Sequence, residues 1–108
     1  MAVDIPPAVD AVIAAINRGD SDAFLAAFAD DGAVDDSGSI YSGYHEIAEW
    51  NAREFIGAGG HLTVKKTERS RERIVVTGDW KSSFLTGPSR MEFSVRGDKV
   101  SLLRILAA

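Results

Sequence analysis

Apolar residues near the start of the chain predict two adjacent helices. The first follows Pro6 and Pro7, since proline suits the first helical position, where its missing N–H has no intrahelical partner. Its apolar residues recur at the i, i+3, i+4, i+7 spacing of one buried face and are Val9, Val12, Ile13 and Ile16. Gly19 suits a left-handed C-cap, and Asp20 or Ser21 then caps a second helix. The apolar stripe of this second helix is Phe24, Ala27 and Phe28.

The middle of the chain predicts a short hairpin and a third helix. Residues 33–36 favour a short strand before the turn residues 37–39, and residues 40–41 favour a strand that pairs back with it. Apolar spacing then predicts a third helix over residues 44–56. The glycine-rich segment 57–60 ends that helix.

Alternating apolar and polar residues predict four strands in the second half. We expect these strands at residues 62–67, 74–85, 91–95 and 100–106, with turns at 68–73, Gly87-Pro88 and Gly97-Asp98. The last strand is apolar on both faces, so we expect the core to cover one face and a second subunit the other. The order ααββαββββ therefore predicts an α+β fold, with a curved antiparallel sheet and helices on one of its faces.

Composition narrows the classes of function. The 108 residues suit one domain spanning 1–108, and 45% hydrophobic with 26% charged residues is typical of a globular protein. The net charge of −4 disfavours nucleic-acid binding, which needs a basic surface. The absence of cysteine excludes disulfides, thiol nucleophiles and thiolate metal sites. No apolar stretch is long enough to cross a bilayer, and the first residues lack the features of a signal peptide. We therefore expect no membrane partner and a cytoplasmic location.

Three segments resemble the SnoaL-like group of the nuclear transport factor 2-like superfamily, which includes ketosteroid isomerase and polyketide cyclase relatives. They are Gly-Asp-Ser-Asp-Ala-Phe at 19–24, Phe-Ala-Asp-Asp-Gly-Ala-Val-Asp-Asp at 28–36 and Gly-Tyr-His-Glu-Ile at 43–47. The resemblance implies a cone-shaped, cystatin-like α+β roll, in which a bent antiparallel sheet wraps the helices and encloses an apolar pocket. It also implies a homodimer formed through the outer sheet face. The family contains both enzymes and non-catalytic modules, so the fold alone does not fix the function.

Asp36 is the candidate catalytic residue. The resemblance to ketosteroid isomerases puts it at the position of the carboxylate that shuttles the proton. Strand parity independently places Asp36 on the same face as Val34, toward the core, and Asp35 on the opposite face. A partly desolvated carboxylate there suits a general base. The alternative is that Asp36 belongs to the Asp-Ser-Gly turn and bonds only its own backbone.

The oxygen of a carbonyl substrate would also need a donor. Ketosteroid isomerases use a tyrosine and a protonated aspartate for this role. Val12 stands at the position of the tyrosine, and Met91 or the outward-facing Glu92 at that of the aspartate. Asn51 or Tyr41 remains as a candidate donor. True ketosteroid isomerase activity is therefore not expected.

The candidate ligand-binding residues are apolar or aromatic side chains on the expected core faces, together with one amide. They are Val12, Ile16, Trp50, Asn51, Phe55, Trp80, Phe84, Met91 and Phe93. His45 and His61 have no carboxylate partners at metal-ligand spacing, so we expect no metal site. No phosphate-binding or dinucleotide-binding motif is present, and we expect no cofactor.

Two hypotheses of different classes follow. The first is a cofactor-independent isomerase, cyclase or dehydratase that acts on a small hydrophobic carbonyl compound with Asp36 as general base. The alternative is a non-catalytic dimeric module that binds a hydrophobic small molecule or another protein.

Overall fold

Helices occupy the first half of the chain and strands dominate the second. In the computed structural model, which describes residues 5–107, three α-helices, one short 3-10 helix and six strands follow one another. The helices are α1 (Pro7–Arg18), α2 (Ser21–Ala26) and α3 (Gly43–Glu54), followed by the 3-10 turn Ile56–Ala58. The strands are β1 (Phe28–Asp36), β2 (Ser39–Ser42), β3 (His61–Ser70), β4 (Arg73–Lys81), β5 (Thr86–Arg96) and β6 (Lys99–Ala107). The predicted α+β class and the order of its elements are confirmed.

The strands form one curved, unclosed sheet in the order β2-β1-β6-β5-β4-β3. Four of its five neighbouring pairs are antiparallel, as expected from the hairpin signals. The fifth pair, β1 with β6, is parallel, so the expectation of a wholly antiparallel sheet is wrong at this point. A parallel pair requires a long connection. Here α3 and four strands, β2 to β5, lie between β1 and β6 in sequence, and β6 can therefore run beside β1 in the same direction.

One face of the sheet, here called the inner face, carries the core. A row of four paired residues, each at most 1% exposed, crosses β1, β6, β5 and β4. In that order of strands they are Val34, Leu103, Phe93 and Ile74. The helices cover this row with buried residues of their own, including Val9, Val12 and Ile16 of α1 and Ile47 and Trp50 of α3. The opposite surface is called the outer face.

The boundary between α1 and α2 follows the predicted caps. Gly19 takes a left-handed conformation with φ 69°, and its N–H donates to the carbonyl groups that end α1. Asp20, rather than Ser21, caps α2, because its Oδ1 accepts a hydrogen bond of 3.0 Å from the N–H of Ala23. That N–H lowers the pKa of the Asp20 carboxyl, and a hydrogen bond from Arg18 lowers it further.

The boundary between α2 and β1 lies earlier than the sequence predicts. α2 ends at Ala26, and Phe28 belongs to β1, where it pairs with Val100. The N–H of Val100 donates to the carbonyl of Ala27 at 2.8 Å and holds this segment beside β6. Phe28 has the spacing expected for the apolar face of α2, but its pairing with Val100 makes it a strand residue. β1 therefore starts at Phe28 rather than at residue 33.

The turn between β4 and β5 also differs from the prediction. β4 ends at Lys81, and residues 82–85 form the turn, in which the Ser82 hydroxyl accepts hydrogen bonds from the N–H groups of Phe84 and Leu85. Gly87 and Pro88 lie within β5 instead of forming the turn. Within residues 5–107, β6 pairs with β5 only from Ser89 onward, so Pro88 lies just outside the described β5–β6 pairing, where a proline is tolerated.

Candidate functional site

A cavity of about 340 Å³ opens at the end of the sheet where β1 and α3 end and β5 begins. Six residues singled out from the sequence line it, namely Asp36, Trp50, Phe55, Trp80, Phe84 and Met91. They come from β1, α3 and its C-cap, β4, the turn after β4, and β5. The fold thus gathers one carboxylate and five apolar or aromatic side chains around one space.

Asp36 reaches the cavity because it is the last inner-face residue of β1. It pairs with Ile105 of β6, which in turn pairs with Met91 of β5, and all three line the cavity. The Trp50 indole Nε1–H donates a hydrogen bond of 3.0 Å to Asp36 Oδ2. A half-buried carboxylate is therefore held in one orientation by a side chain of α3.

Asp35, not Asp36, stabilises the turn that follows β1. Ser37 and Gly38 both have positive φ, 51° and 104°, as the two central residues of this tight hairpin turn require. The N–H of Gly38 donates to Asp35 Oδ1 at 2.8 Å. The carboxylate of Asp36 is turned away from that bond and toward Trp50.

Aromatic rings stack in a row along the cavity wall. The ring centroids of Trp50 and Phe55 lie 4.6 Å apart, and those of Phe55 and Trp80 also lie 4.6 Å apart with an angle of 13° between planes. Tyr41 stacks on Trp50 at 5.8 Å but does not itself line the cavity. The edge of the Trp80 ring lies against Gly60, where any side chain would collide with it. The wall is therefore rigidly packed and largely apolar.

The mouth of the cavity carries two exposed apolar side chains. Phe84 is 63% exposed and Leu85 is 65% exposed, and both belong to the turn between β4 and β5. Large apolar side chains at this level of exposure contribute little to the core. Their position places them where a molecule entering the cavity would cover them.

Four of the predicted ligand-binding residues lie away from the cavity. Val12, Ile16 and Phe93 are at most 1% exposed and belong to the core beneath it. Asn51 is buried, but its Nδ2 donates to the Ser21 hydroxyl at 3.0 Å and its Oδ1 accepts from the N–H of Ile56 at 3.2 Å. Successive helical residues differ by about 100° in direction. Asn51 consequently joins α3 to α2, whereas its neighbour Trp50 faces Asp36.

Sequence reasoning missed Glu54, a second carboxylate that lines the cavity. Its side chain is 22% exposed, and one of its oxygens lies 3.4 Å from the Arg53 guanidinium. Glu54 lies four residues after Trp50 in α3, and residues at i and i+4 share a helix face. This spacing is the feature of the sequence that indicates Glu54 beside Trp50. The hydroxyl residues Ser37, Thr86 and Ser89 also line the cavity.

The two histidines lie on the surface. His45 has an 88% exposed side chain and contacts Glu49 at 3.0 Å, and His61 is the exposed first residue of β3. Within residues 5–107, no group of three or more histidine or acidic side chains could hold a metal ion. In the same part of the chain, no helix is long and apolar enough to span a bilayer.

A network of charges crosses the outer face. The Glu92 side chain is only 10% exposed, with Arg90 at 3.1 Å, Arg73 at 3.3 Å and Arg104 at 3.8 Å. Arg104 also lies 3.7 Å from Asp35. Glu92 faces outward, as strand parity predicts, but the arginines bury it. This network is separate from the cavity, which lies on the inner face.

The comparisons with known proteins agree on the fold. The sequence matches the model of the SnoaL-like domain over residues 9–105. None of the proteins with curated descriptions matches it. A candidate polyketide cyclase from Sinorhizobium meliloti is 21% identical, with a TM-score of 0.86, over 95% of this chain and 96% of that one.

Two further solved structures are similar. A protein from Catenulispora acidiphila with a ketosteroid isomerase-like fold, in complex with trimethylamine, is 21% identical with a TM-score of 0.82, over 97% of this chain and 88% of that one. A computationally designed 17-OHP binder is 17% identical with a TM-score of 0.81, over 94% of this chain and 90% of that one. At these identities the likeness establishes the fold alone. Together with the match over residues 9–105, it shows that the chain belongs to the SnoaL-like domain family and has its ketosteroid isomerase-like fold.

Proposed function

We propose that the protein binds a small, largely apolar organic molecule in the cavity between α3 and the inner face of the sheet. The observation that carries this proposal is a space of about 340 Å³ in which one oriented carboxylate, Asp36, meets a wall of stacked aromatic rings. Pockets for small molecules typically measure about 300–1,000 Å³ and combine apolar walls with a few fixed polar groups.

Ligands in proteins of similar fold support the proposal. One of them is a designed binder of 17-OHP, and another is in complex with trimethylamine. In the present chain, Trp50, Phe55 and Trp80 provide the flat apolar surface. Asp36 provides the polar group that fixes the orientation of the ligand.

Intrinsic fluorescence tests this proposal directly. The chain has two tryptophans, Trp50 and Trp80, and both line the cavity. Titration with hydrophobic ketones and amines that absorb only weakly at the excitation wavelength should change the emission in a saturable manner and raise the melting temperature. A panel that leaves both the emission and the melting temperature unchanged would contradict the proposal.

A second candidate function is cofactor-independent proton transfer, and the orientation of Asp36 by Trp50 favours it. In this reaction the Asp36 carboxylate removes a proton next to the carbonyl of the ligand, and the resulting enolate is reprotonated from the same acid. The two residues expected to donate a hydrogen bond to the carbonyl oxygen, Asn51 and Tyr41, do not line the cavity. The hydroxyl of Ser89 is the candidate donor that remains.

Deuterium exchange separates binding from proton transfer. A bound ketone should exchange the protons next to its carbonyl with solvent deuterium faster than the free ketone, as followed by proton NMR. Asp36→Asn should remove this acceleration while binding persists. Exchange that is no faster with the protein than without it would leave ligand binding as the function.

We also propose that two copies associate through the outer sheet face. The support is Leu102 on β6, a half-buried leucine on the same face as the Glu92 network and one of the residues that make β6 apolar on both faces. The resemblance to dimeric relatives is consistent with such an assembly.

A further inference from the structure

We infer that the ligand of this cavity carries a protonated amine at the end that meets Asp36. The inference rests on the proposed ligand-binding function and adds the charge of the ligand to it. Its basis is the charge of the lining residues. Asp36 and Glu54 are both acidic, and no lysine, arginine or histidine lines the cavity within residues 5–107.

The carboxylate of Asp36 is the main anchor. Trp50 donates to Oδ2, so the indole fixes the plane of the carboxylate without neutralising its charge. An ionised carboxylate accepts several hydrogen bonds and donates none. The complementary group on a ligand must therefore supply donors, which an ammonium group does and a ketone does not.

Glu54 adds a second negative charge at the same cavity. Arg53 partly compensates it from outside, with its Nη2 3.4 Å from Glu54 Oε2 and a side chain that is 55% exposed. Arg53 does not line the cavity, so its guanidinium does not occupy the space open to a ligand. The residual negative charge of Glu54 therefore strengthens the preference for a positively charged ligand that Asp36 establishes.

The apolar walls increase the effect of these charges. Trp50, Phe55 and Trp80 exclude water from one side of the site, and charge interactions are stronger where water is excluded. The same surroundings make an anionic ligand unfavourable. A flat or compact apolar molecule with one ammonium group satisfies both the rings and the carboxylates.

Three ligands of one shape test the inference by isothermal titration calorimetry at neutral pH. They are naphthylmethylamine, naphthylmethanol and naphthoic acid with the same ring position, which differ mainly in charge. The amine should bind at least about tenfold more tightly than the alcohol, and the acid should bind most weakly. The advantage of the amine over the alcohol should shrink as salt is added.

Variants then assign the preference to the cavity. Asp36→Asn should remove most of the difference between amine and alcohol, and Glu54→Gln should reduce it. Glu49→Gln is the matched control, because it removes a charge from an exposed position of α3 that does not line the cavity. It should leave the preference unchanged. Circular dichroism confirms that each variant is folded.

The outcomes distinguish this inference from the proposed function. An alcohol that binds as tightly as the amine would overturn the inference and leave the binding function intact. Amine preference that survives the double change of Asp36→Asn and Glu54→Gln would overturn it as well. Absence of binding by all three ligands would count against the proposed function itself.

Discussion

At the scale of single residues, Trp50 connects the core of the protein to its candidate site. Its ring stacks between Tyr41 and Phe55, and its Nε1–H donates to Asp36. One side chain therefore contributes both to stability and to the orientation of the carboxylate. Its two contributions can be separated by a substitution that keeps an aromatic ring but removes the indole donor.

Trp50→Phe should lower the free energy of unfolding by about 2–4 kcal/mol, because a hydrogen bond to a charged group and part of a buried ring are lost. Urea denaturation followed by circular dichroism measures the change. Trp80→Phe is the control, since Trp80 stacks on the same Phe55 ring but the hydrogen bond to Asp36 comes from Trp50. A loss no greater in Trp50→Phe than in this control would show that the bond to Asp36 contributes nothing to stability.

Substitutions in the core and at the mouth of the cavity should have opposite effects on stability and on ligand binding. Phe84→Ala should leave the free energy of unfolding within about 0.5 kcal/mol, because the side chain is 63% exposed, yet weaken ligand binding. Ile16→Val should do the reverse, with a loss of about 0.5–1.5 kcal/mol and unchanged binding, since Ile16 is 1% exposed and lies outside the cavity. Denaturation and calorimetry on the same samples check both. Weaker binding in Ile16→Val would place Ile16 in the site after all.

The direction of a strand side chain could be predicted from the sequence more reliably than its role. Alternation placed Val34 and Asp36 on one face and Asp35 on the other, as the pairing across the sheet has them. On α3 the prediction treated Trp50 and Asn51 as neighbours in the site, although adjacent helical residues point in different directions. The partner that Asn51 finds is Ser21, distant in sequence, and no local pattern indicates such a contact.

At the scale of elements, the length of each helix and strand depends on both local caps and long-range pairing. Gly19 and Asp20 set the junction between α1 and α2 locally, and the sequence predicts that junction well. Phe28 and Pro88 fall at boundaries that the sequence misplaces. Phe28 is placed in β1 by its pairing with Val100 of β6, far away in sequence, and Pro88 is placed in β5 by its pairing with Asp79 of β4.

The cap of α2 should make stability depend on pH. The N–H of Ala23 lowers the pKa of Asp20, with a further contribution from Arg18, so folding favours the ionised form. The resulting stabilisation is present above the ordinary pKa of the carboxyl and is lost as the pH falls through the lowered pKa.

Thermal melts at several pH values measure this dependence. Asp20→Ala should lower the melting temperature at neutral pH and flatten its decline in acid. Asp20→Asn should retain much of the cap, because the asparagine side chain also accepts the hydrogen bond from the N–H of Ala23. It should nevertheless lose the same part of the pH dependence as Asp20→Ala, because its side chain does not ionise. Identical acid profiles for all three proteins would show that the cap does not titrate in this range.

At the scale of the whole molecule, the two faces of the sheet are suited to different tasks. The inner face holds the core and the cavity, whereas the outer face carries the Glu92 network and Leu102. The sequence indicated this division through the apolar residues on both sides of β6. It did not indicate the arginines that enclose Glu92, because Arg73, Arg90 and Arg104 come from three different strands.

Association through the outer face should be visible in solution. Sedimentation at micromolar concentration should give about twice the chain mass of 11.6 kDa. Leu102→Asp should shift the protein to monomer, because it introduces a charge into the proposed interface. Val64→Asp, at an exposed position of β3, should leave the dimer intact. A wild-type protein that sediments as a monomer would contradict the proposal.

The parallel pairing of β1 with β6 has a consequence for the order of folding. β6 is the last strand in sequence, yet it lies between β1 and β5 within the sheet. The hairpin β1–β2, which carries Asp36, therefore has no neighbour in the sheet until β6 has been synthesised. Contacts of such large sequence separation slow folding. During translation, the strands β3–β5 can assemble early, whereas the cavity forms only when β6 joins the two parts of the sheet.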